Sequence, residues 1–175
     1  MPSVQKSGKI AQLNMKLKIV IVLVCLFTFQ LWVSMVYYPK WKTEHTESTI
    51  SWDASGYYVY LPAIFIYHDV KKLDFMNDVL NKYRPTPELL QAYQHANSGN
   101  KVFKYTMGQA ILYSPAFLTA HIFTKYFTNQ EADGFSKYYQ LFIQLWSVFI
   151  SWIGIFLFFL LIKKLFDEST SLYST

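Results

Sequence analysis

The chain has 175 residues, 53% of them hydrophobic, 19% aromatic and only 15% charged, with a formal charge of +5 and a mean hydropathy of +0.15. A soluble domain carries about 25% charged residues, so this composition argues against one and points to a membrane protein. A single cysteine, Cys25, excludes an intrachain disulfide and C-x-x-C redox or zinc chemistry, and no Arg/Lys-rich block or zinc-ligand spacing directs the basic balance to nucleic acid.

Residues 1–18 carry Lys6, Lys9, Lys16 and Lys18 and read as a basic cytoplasmic segment. The run IVIVLVCLFTFQLWVSMV, Ile19 to Val36, has 18 residues and rises about 27 Å as a helix, close to the thickness of a bilayer core. Trp32, Tyr37 and Tyr38 mark its far interface. We expect a transmembrane helix over 19–38, retained as a signal-anchor: the run is long for a signal peptide, and Ser34-Met35-Val36 is a poor cleavage site. The positive-inside rule then puts the amino terminus in the cytoplasm and residues 39–138 outside.

Within that external loop, PKWKTEHTEST is polar and expected to be extended. Ser51 to His68 reads as a helix capped by Ser51, with Asp53 in its first turn and a bend at Pro62. Asp69 to Asn100 is polar, with turn signals at Pro85-Thr86-Pro87 and Ser98-Gly99-Asn100; Pro87-Glu88 is expected to open a short helix to about Ala96. AILYSPAFLTAHIF, Ala110 to Phe123, has only 14 residues and contains Pro115 and His121. A run of that length fits a membrane-surface helix, over about 107–127, better than a third span. Asp133-Gly134 then precedes LFIQLWSVFISWIGIFLFFLLI, Leu141 to Ile162, whose 22 residues reach about 33 Å and span a bilayer with some tilt. Lys163-Lys164 follow at once, so 139–162 is expected to run outward to inward and 163–175 to be a cytoplasmic tail. A third span would put these lysines outside, against the charge rule. The expected fold is an all-α membrane protein: two transmembrane helices flanking a large external loop with surface helices at about 51–68 and 107–127.

The order of motifs carries further meaning. A basic end and one span precede W-D-x-x-G-Y-Y-x-Y-L-P at Trp52–Pro62. K-Y-T-M-G-Q-A-I-L-Y-S-P-A-F-L-x-A-H follows at Lys104–His121, then Gly134-x-Ser136 and a second span ending in Lys-Lys. This arrangement, over roughly residues 15–166, resembles the N-terminal region of the GT-C superfamily of polytopic membrane glycosyltransferases. The nearer likeness is to bacterial members akin to protein mannosyltransferases and aminoarabinose transferases. In that family an essential acid follows the first span, and a Lys-aromatic-Pro-Pro motif opens a surface helix. Asp53 matches the acid and Lys104-Tyr105 the start of the second motif, with Thr106-Met107 where Pro-Pro often stands. Members have many more spans, so the resemblance implies an amino-terminal portion, inactive alone and completed by further C-terminal spans or a partner membrane subunit. It also implies a bacterial inner membrane.

The resemblance implies sugar transfer from a polyprenyl-phosphate donor to an acceptor on the outer face, with the bilayer and the lipid-linked donor as partners. Asp53 would be the general base that takes the acceptor's proton; a helix N-terminus favours a carboxylate by up to about 1 kcal/mol. Lys104 would meet the donor phosphate or Asp53 itself, and Trp52, Tyr57 and Tyr58 would stack on sugar faces. Each has a plainer role beside it: dipole compensation for Asp53, a headgroup contact for Lys104, an interface belt for the aromatics. No cofactor is expected. A carboxylate pair can hold a divalent ion, but the spacing of Asp69, Asp74 and Asp78 is generic. His45, His68, His95 and His121 lack ligand spacing, and His121 is expected to pack at the interface. Gln30 and Gln144, polar within spans, are expected to contact other helices. The competing function is a non-enzymatic membrane subunit whose aromatic external helix binds a partner or lipid.

Overall fold

The structure, a computed structural model, describes residues 2–166, with side chains from Leu17 onward; most of the expected cytoplasmic tail, and the side chains of Lys6, Lys9 and Lys16, lie outside the described residues. In chain order the elements are α1 (Pro2–Trp32), α2 (Trp52–Tyr58), α3 (Tyr60–Phe65), α4 (Met76–Tyr83), β1 (Ala92–Gln94), β2 (Lys101–Phe103), α5 (Gly108–Phe127) and α6 (Lys137–Ile162). A π-helical turn, Val33–Tyr37, extends α1, and 3-10 turns follow at Lys40–Lys42 and His45–Glu47. The chain is mostly helical but not all-α, because β1 and β2 pair antiparallel. It divides into two compact units, Met1–Tyr37 with Val148–Thr175, and Tyr38–Ser147.

In the first unit, α1 and the later part of α6 meet through few contacts. The Gln30 amide Nε2 donates to Ser151 Oγ at 2.8 Å, so this glutamine of the first apolar stretch contacts α6, as expected. Phe27 sets its edge on Trp152 at 5.5 Å, and Ile19, Leu23 and Phe159 form a small buried cluster. Two stretches are long and apolar enough to cross a membrane, Leu17–Lys42 and Lys137–Ile162, yet the protein buries only 11% of each apolar window. Val20, Ile21, Val24 and Phe29 on α1, and Leu157 and Leu161 on α6, stay exposed. Both helices therefore expose apolar side chains around much of their circumference, a pattern that a bilayer accommodates.

The central unit, Tyr38–Ser147, holds the larger core, built on Tyr58, Phe117, Phe135 and Tyr139. Their rings meet at 5.6–5.8 Å in edge or tilted contacts, a geometry worth about 0.5–1.5 kcal/mol per pair beyond burial. The expected helix over 51–68 forms as two pieces and ends at Phe65. Its interruption at Val59 lies three residues before Pro62, where the ring and the missing N–H disturb the preceding turn. Ser51 does not cap it through its side chain; its hydroxyl donates instead to Ser48 O at 2.6 Å.

Helix α5 continues straight through Pro115. That proline leaves the Ile111 carbonyl without its usual N–H, and the Ser114 hydroxyl donates to it at 2.7 Å. One face of α5 buries Ala110, Ala116, Phe117 and Ala120, while Ile111, Leu118 and Ile122 are left exposed. Among the described residues α5 is not one of the stretches long and apolar enough to span.

The polar stretch 69–100 is more ordered than its composition indicates. It contains α4, which buries Met76 and Val79 and ends on a left-handed Arg84 (φ 45°) before Pro85, a stop consistent with the restriction proline places on its predecessor. The helix expected from Pro87 to Ala96 is absent. Thr86 Oγ1 donates to Glu88 O at 2.6 Å, and the chain then enters β1, whose residues Ala92, Tyr93 and Gln94 face Phe103, Val102 and Lys101. Tyr93, Val102 and Phe103 favour strands. The expected turn at Ser98-Gly99-Asn100 closes this hairpin, with Gly99 at φ 65°.

Candidate active site

The β1–β2 register carries one residue further at each end. Lys104 N–H donates to Gln91 O at 2.8 Å, which holds Gln91 and Tyr105 against α2. Gly56 makes this approach possible: a Cβ there would collide with the Tyr105 ring and lie 2.7 Å from Gln91 Cγ. Gln91, only 3% exposed, donates from Nε2 to Trp52 O at 3.1 Å. Tyr60 supports the arrangement from below by donating its hydroxyl to Tyr105 O at 2.6 Å and stacking on Phe103 at 4.0 Å.

Tyr105 is therefore delivered onto the face of α2 that carries Asp53 and Tyr57. Its hydroxyl donates to Asp53 Oδ1, and its ring lies 4.5 Å from the Tyr57 ring at 50°. Lys104 Nζ sits 5.2 Å from the centre of the same Tyr105 ring. The hydrogen bond to Asp53 raises the Tyr105 phenol above its ordinary pKa, with burial adding and the Lys104 charge opposing. The phenol accordingly stays a donor to the carboxylate at neutral pH.

Of the expected site residues, Asp53, Tyr57 and Lys104 are brought together, and Tyr105 is the piece that joins them. Lys104 makes no ion pair with Asp53 among the described residues; the phenol occupies that place. Trp52 stands next to Asp53, 49% exposed and with a left-handed backbone (φ 46°), a conformation that costs a bulky residue about 1–3 kcal/mol. It is fixed there by its N–H donating to Pro85 O at 3.1 Å. Tyr58 does not belong to this group: it is 0% exposed, and its hydroxyl donates to Gly134 O at 2.5 Å, so its expected sugar contact is corrected to a core role.

Two other carboxylates and one span-end amide have local partners. Asp69 accepts the backbone N–H of Lys72 and Asp74, each at 2.8 Å, an ordering role for the loop that precedes α4. Asp133 accepts the Tyr83 hydroxyl at 2.5 Å and the N–H groups of Phe135 and Ser136 at 2.9 and 3.0 Å. Gln144, expected to reach other helices, accepts from Trp41 N–H at 2.7 Å. Among the described residues no group of three His, Cys, Asp or Glu side chains is placed to hold a metal ion. What the Asp53 corner offers chemically is an exposed carboxylate with one oxygen occupied by a phenol, a neighbouring ammonium, and two tilted aromatic rings. Comparisons with protein-family models, curated proteins and solved structures return no match.

Proposed function

We propose that this chain is the amino-terminal portion of a membrane glycosyltransferase of the GT-C kind, transferring a sugar from a polyprenyl-phosphate donor to an acceptor on the outer face of a bacterial inner membrane. The observation that carries the reading is the Tyr105–Asp53 hydrogen bond, which joins two motifs 52 residues apart at an exposed carboxylate. Tyr105 occupies Oδ1 and fixes the carboxylate's orientation, leaving Oδ2 as the acceptor for a proton. As the acceptor's O–H or N–H attacks the anomeric carbon, the bond from that carbon to the phosphate oxygen breaks. The phosphate leaves with the electron pair, and the proton passes to Asp53 Oδ2. Lys104, exposed and beside this corner, is positioned to meet a phosphate charge, and the Tyr57–Tyr105 pair and Trp52 offer apolar faces to a sugar ring.

Two further features support the membrane setting. The two long apolar stretches are uncovered by protein, and α5 presents an apolar outer stripe opposite its packed face, as a helix lying in the interface does. The test is Asp53→Asn, assayed for sugar transfer from a polyprenyl-phosphate-linked donor in membranes of cells expressing the gene. Loss of an acting general base lowers the rate by about 100-fold or more. Transfer at the unsubstituted rate removes Asp53 from the chemistry.

A further inference from the structure

A second concave site lies in the central unit and shares no lining residue with the Asp53 corner. It is a cleft of about 480 Å³, within the size range of small-ligand pockets. Its walls come from the turns around Trp41, Lys42 and Glu44 and from the start of α6, where Ser136, Lys137 and Gln140 line it.

The unmatched groups here are donors and positive charges. Lys42 Nζ and Lys137 Nζ lie 4.9 and 5.4 Å from the centre of the same Trp41 ring. Neither has an ion pair among the described residues, whereas Lys82, also in the wall, is committed to Glu131 at 2.6 Å and Asp133 at 3.2 Å. Ser136 is 2% exposed, yet among the described residues its Oγ has no hydrogen-bond partner, and Trp41 Nε1 is likewise buried without one. Orphaned buried donors are rare because they forfeit solvation without compensation. Their neighbour Gln140 is by contrast satisfied at both ends, accepting Ile50 N–H at 2.7 Å and donating to Phe135 O at 3.1 Å. The start of the 26-residue α6 adds little charge of its own, because the Asp133 carboxylate already accepts the Ser136 N–H at 3.0 Å. Against the Lys42 and Lys137 charges stands one lining carboxylate, Glu44.

We infer that this cleft binds a phosphate-type anion, held between the Lys42 and Lys137 ammonium groups with the Ser136 hydroxyl and the Trp41 indole N–H as neutral donors. Free phosphate and the headgroup of an anionic lipid present the same chemistry. The site stands independently of the sugar-transfer reading, since none of its residues enters that proposal.

The experiment follows the Trp41 indole N–H resonance, assigned by Trp41→Phe, in the full chain held in nanodiscs. Inorganic phosphate is titrated with neutral phosphatidylcholine discs, and phosphatidylglycerol discs are compared without added phosphate. A saturable shift with phosphate identifies a free-anion site, and a shift only with phosphatidylglycerol identifies a headgroup site; both support the inference. The exposed-lysine double variant Lys42→Gln/Lys137→Gln should weaken the response by roughly tenfold or more, the scale of one charge-assisted hydrogen bond, while leaving the other indole resonances in place. No shift with either source overturns the inference. So does an equal shift from chloride at matched ionic strength, or an undiminished response in the double variant.

Discussion

Asp53 and Tyr57 stand four residues apart, so one helical face presents both, while Tyr58 is rotated by about a further 100° into the core. That phase was available in the sequence and separates the two tyrosines, although the Tyr-Tyr pair reads as one aromatic patch when taken as composition. Tyr105 was visible only as the second letter of a Lys-aromatic motif; its partnership with Asp53 depends on a hairpin that local sequence signals poorly. The hydrogen bond gives a pH prediction. The Tyr105 phenol is held above the ordinary 10.0, first by Asp53 and then by burial. The folded state therefore favours the protonated phenol, and its contribution to stability is full below 10.0 and lost as pH rises through the higher folded value. Difference titration of phenolate absorbance between the unsubstituted chain and Tyr105→Phe should place Tyr105 above 10.0, and Asp53→Asn should bring it back toward that value. A Tyr105 transition unchanged by Asp53→Asn would mean that the bond is not formed. Gly56 supplies the steric counterpart. Adding a methyl group there forces the Tyr105 ring and the buried Gln91 side chain to move, so Gly56→Ala should destabilise the fold by about 1–3 kcal/mol, read as a lowered thermal midpoint in detergent.

Among the elements, the two long apolar helices were legible because a run of 18 or more mostly apolar, uncharged residues is long enough to form one continuous helix of bilayer length. The α5 helix was expected from the length and hydropathy of its apolar run, and Pro115 does not end it because the Ser114 hydroxyl donates to the Ile111 carbonyl that the proline leaves free. Helix α4 and the hairpin were not legible. Each is short, and α4 is stabilised by burying Met76 and Val79, side chains whose partners are distant in sequence; local propensity yields to such packing. Helix α5 is tied to α6 by a bond that acid should weaken. His121 Nδ1 lies 2.6 Å from the Tyr139 hydroxyl, and burial, followed by the Lys125 charge, lowers the His121 pKa from 6.5. The folded state favours neutral imidazole, so the stability this group contributes is present above 6.5 and is lost as pH falls below it toward the folded value. Thermal midpoints measured on descending pH should show this decline in the unsubstituted chain and less of it in His121→Gln, which keeps a side-chain acceptor but cannot take a proton in this range. An identical acid decline in His121→Gln would assign the loss to other groups.

At the level of the whole molecule, the sugar-transfer proposal requires Asp53 and the Lys104 corner on one side of a bilayer and both lysine-rich flanks on the other. The charge pattern favours this: Lys16 and Lys18 precede the first apolar stretch, and Lys163 and Lys164 close the second. Reversing the arrangement would translocate both flanks against the positive-inside bias. A third crossing through α5 would have to take Ala116, Phe117 and Ala120 out of a core they share with Tyr58, Phe135 and Tyr139, and burying those side chains is worth about 25 cal/mol per Å² of apolar surface removed from water. Two crossings avoid both costs. Activity reporters fused after Asn100 and after Lys164 should therefore report the outer side and the cytoplasm respectively, and a cysteine introduced at the exposed Thr106 should be labelled by a membrane-impermeant maleimide in intact spheroplasts. Labelling at 106 only after the membrane is opened would place Asp53 on the cytoplasmic side. An acceptor on the outer face would then have no base to receive its proton, whatever the geometry of the Tyr105 hydrogen bond.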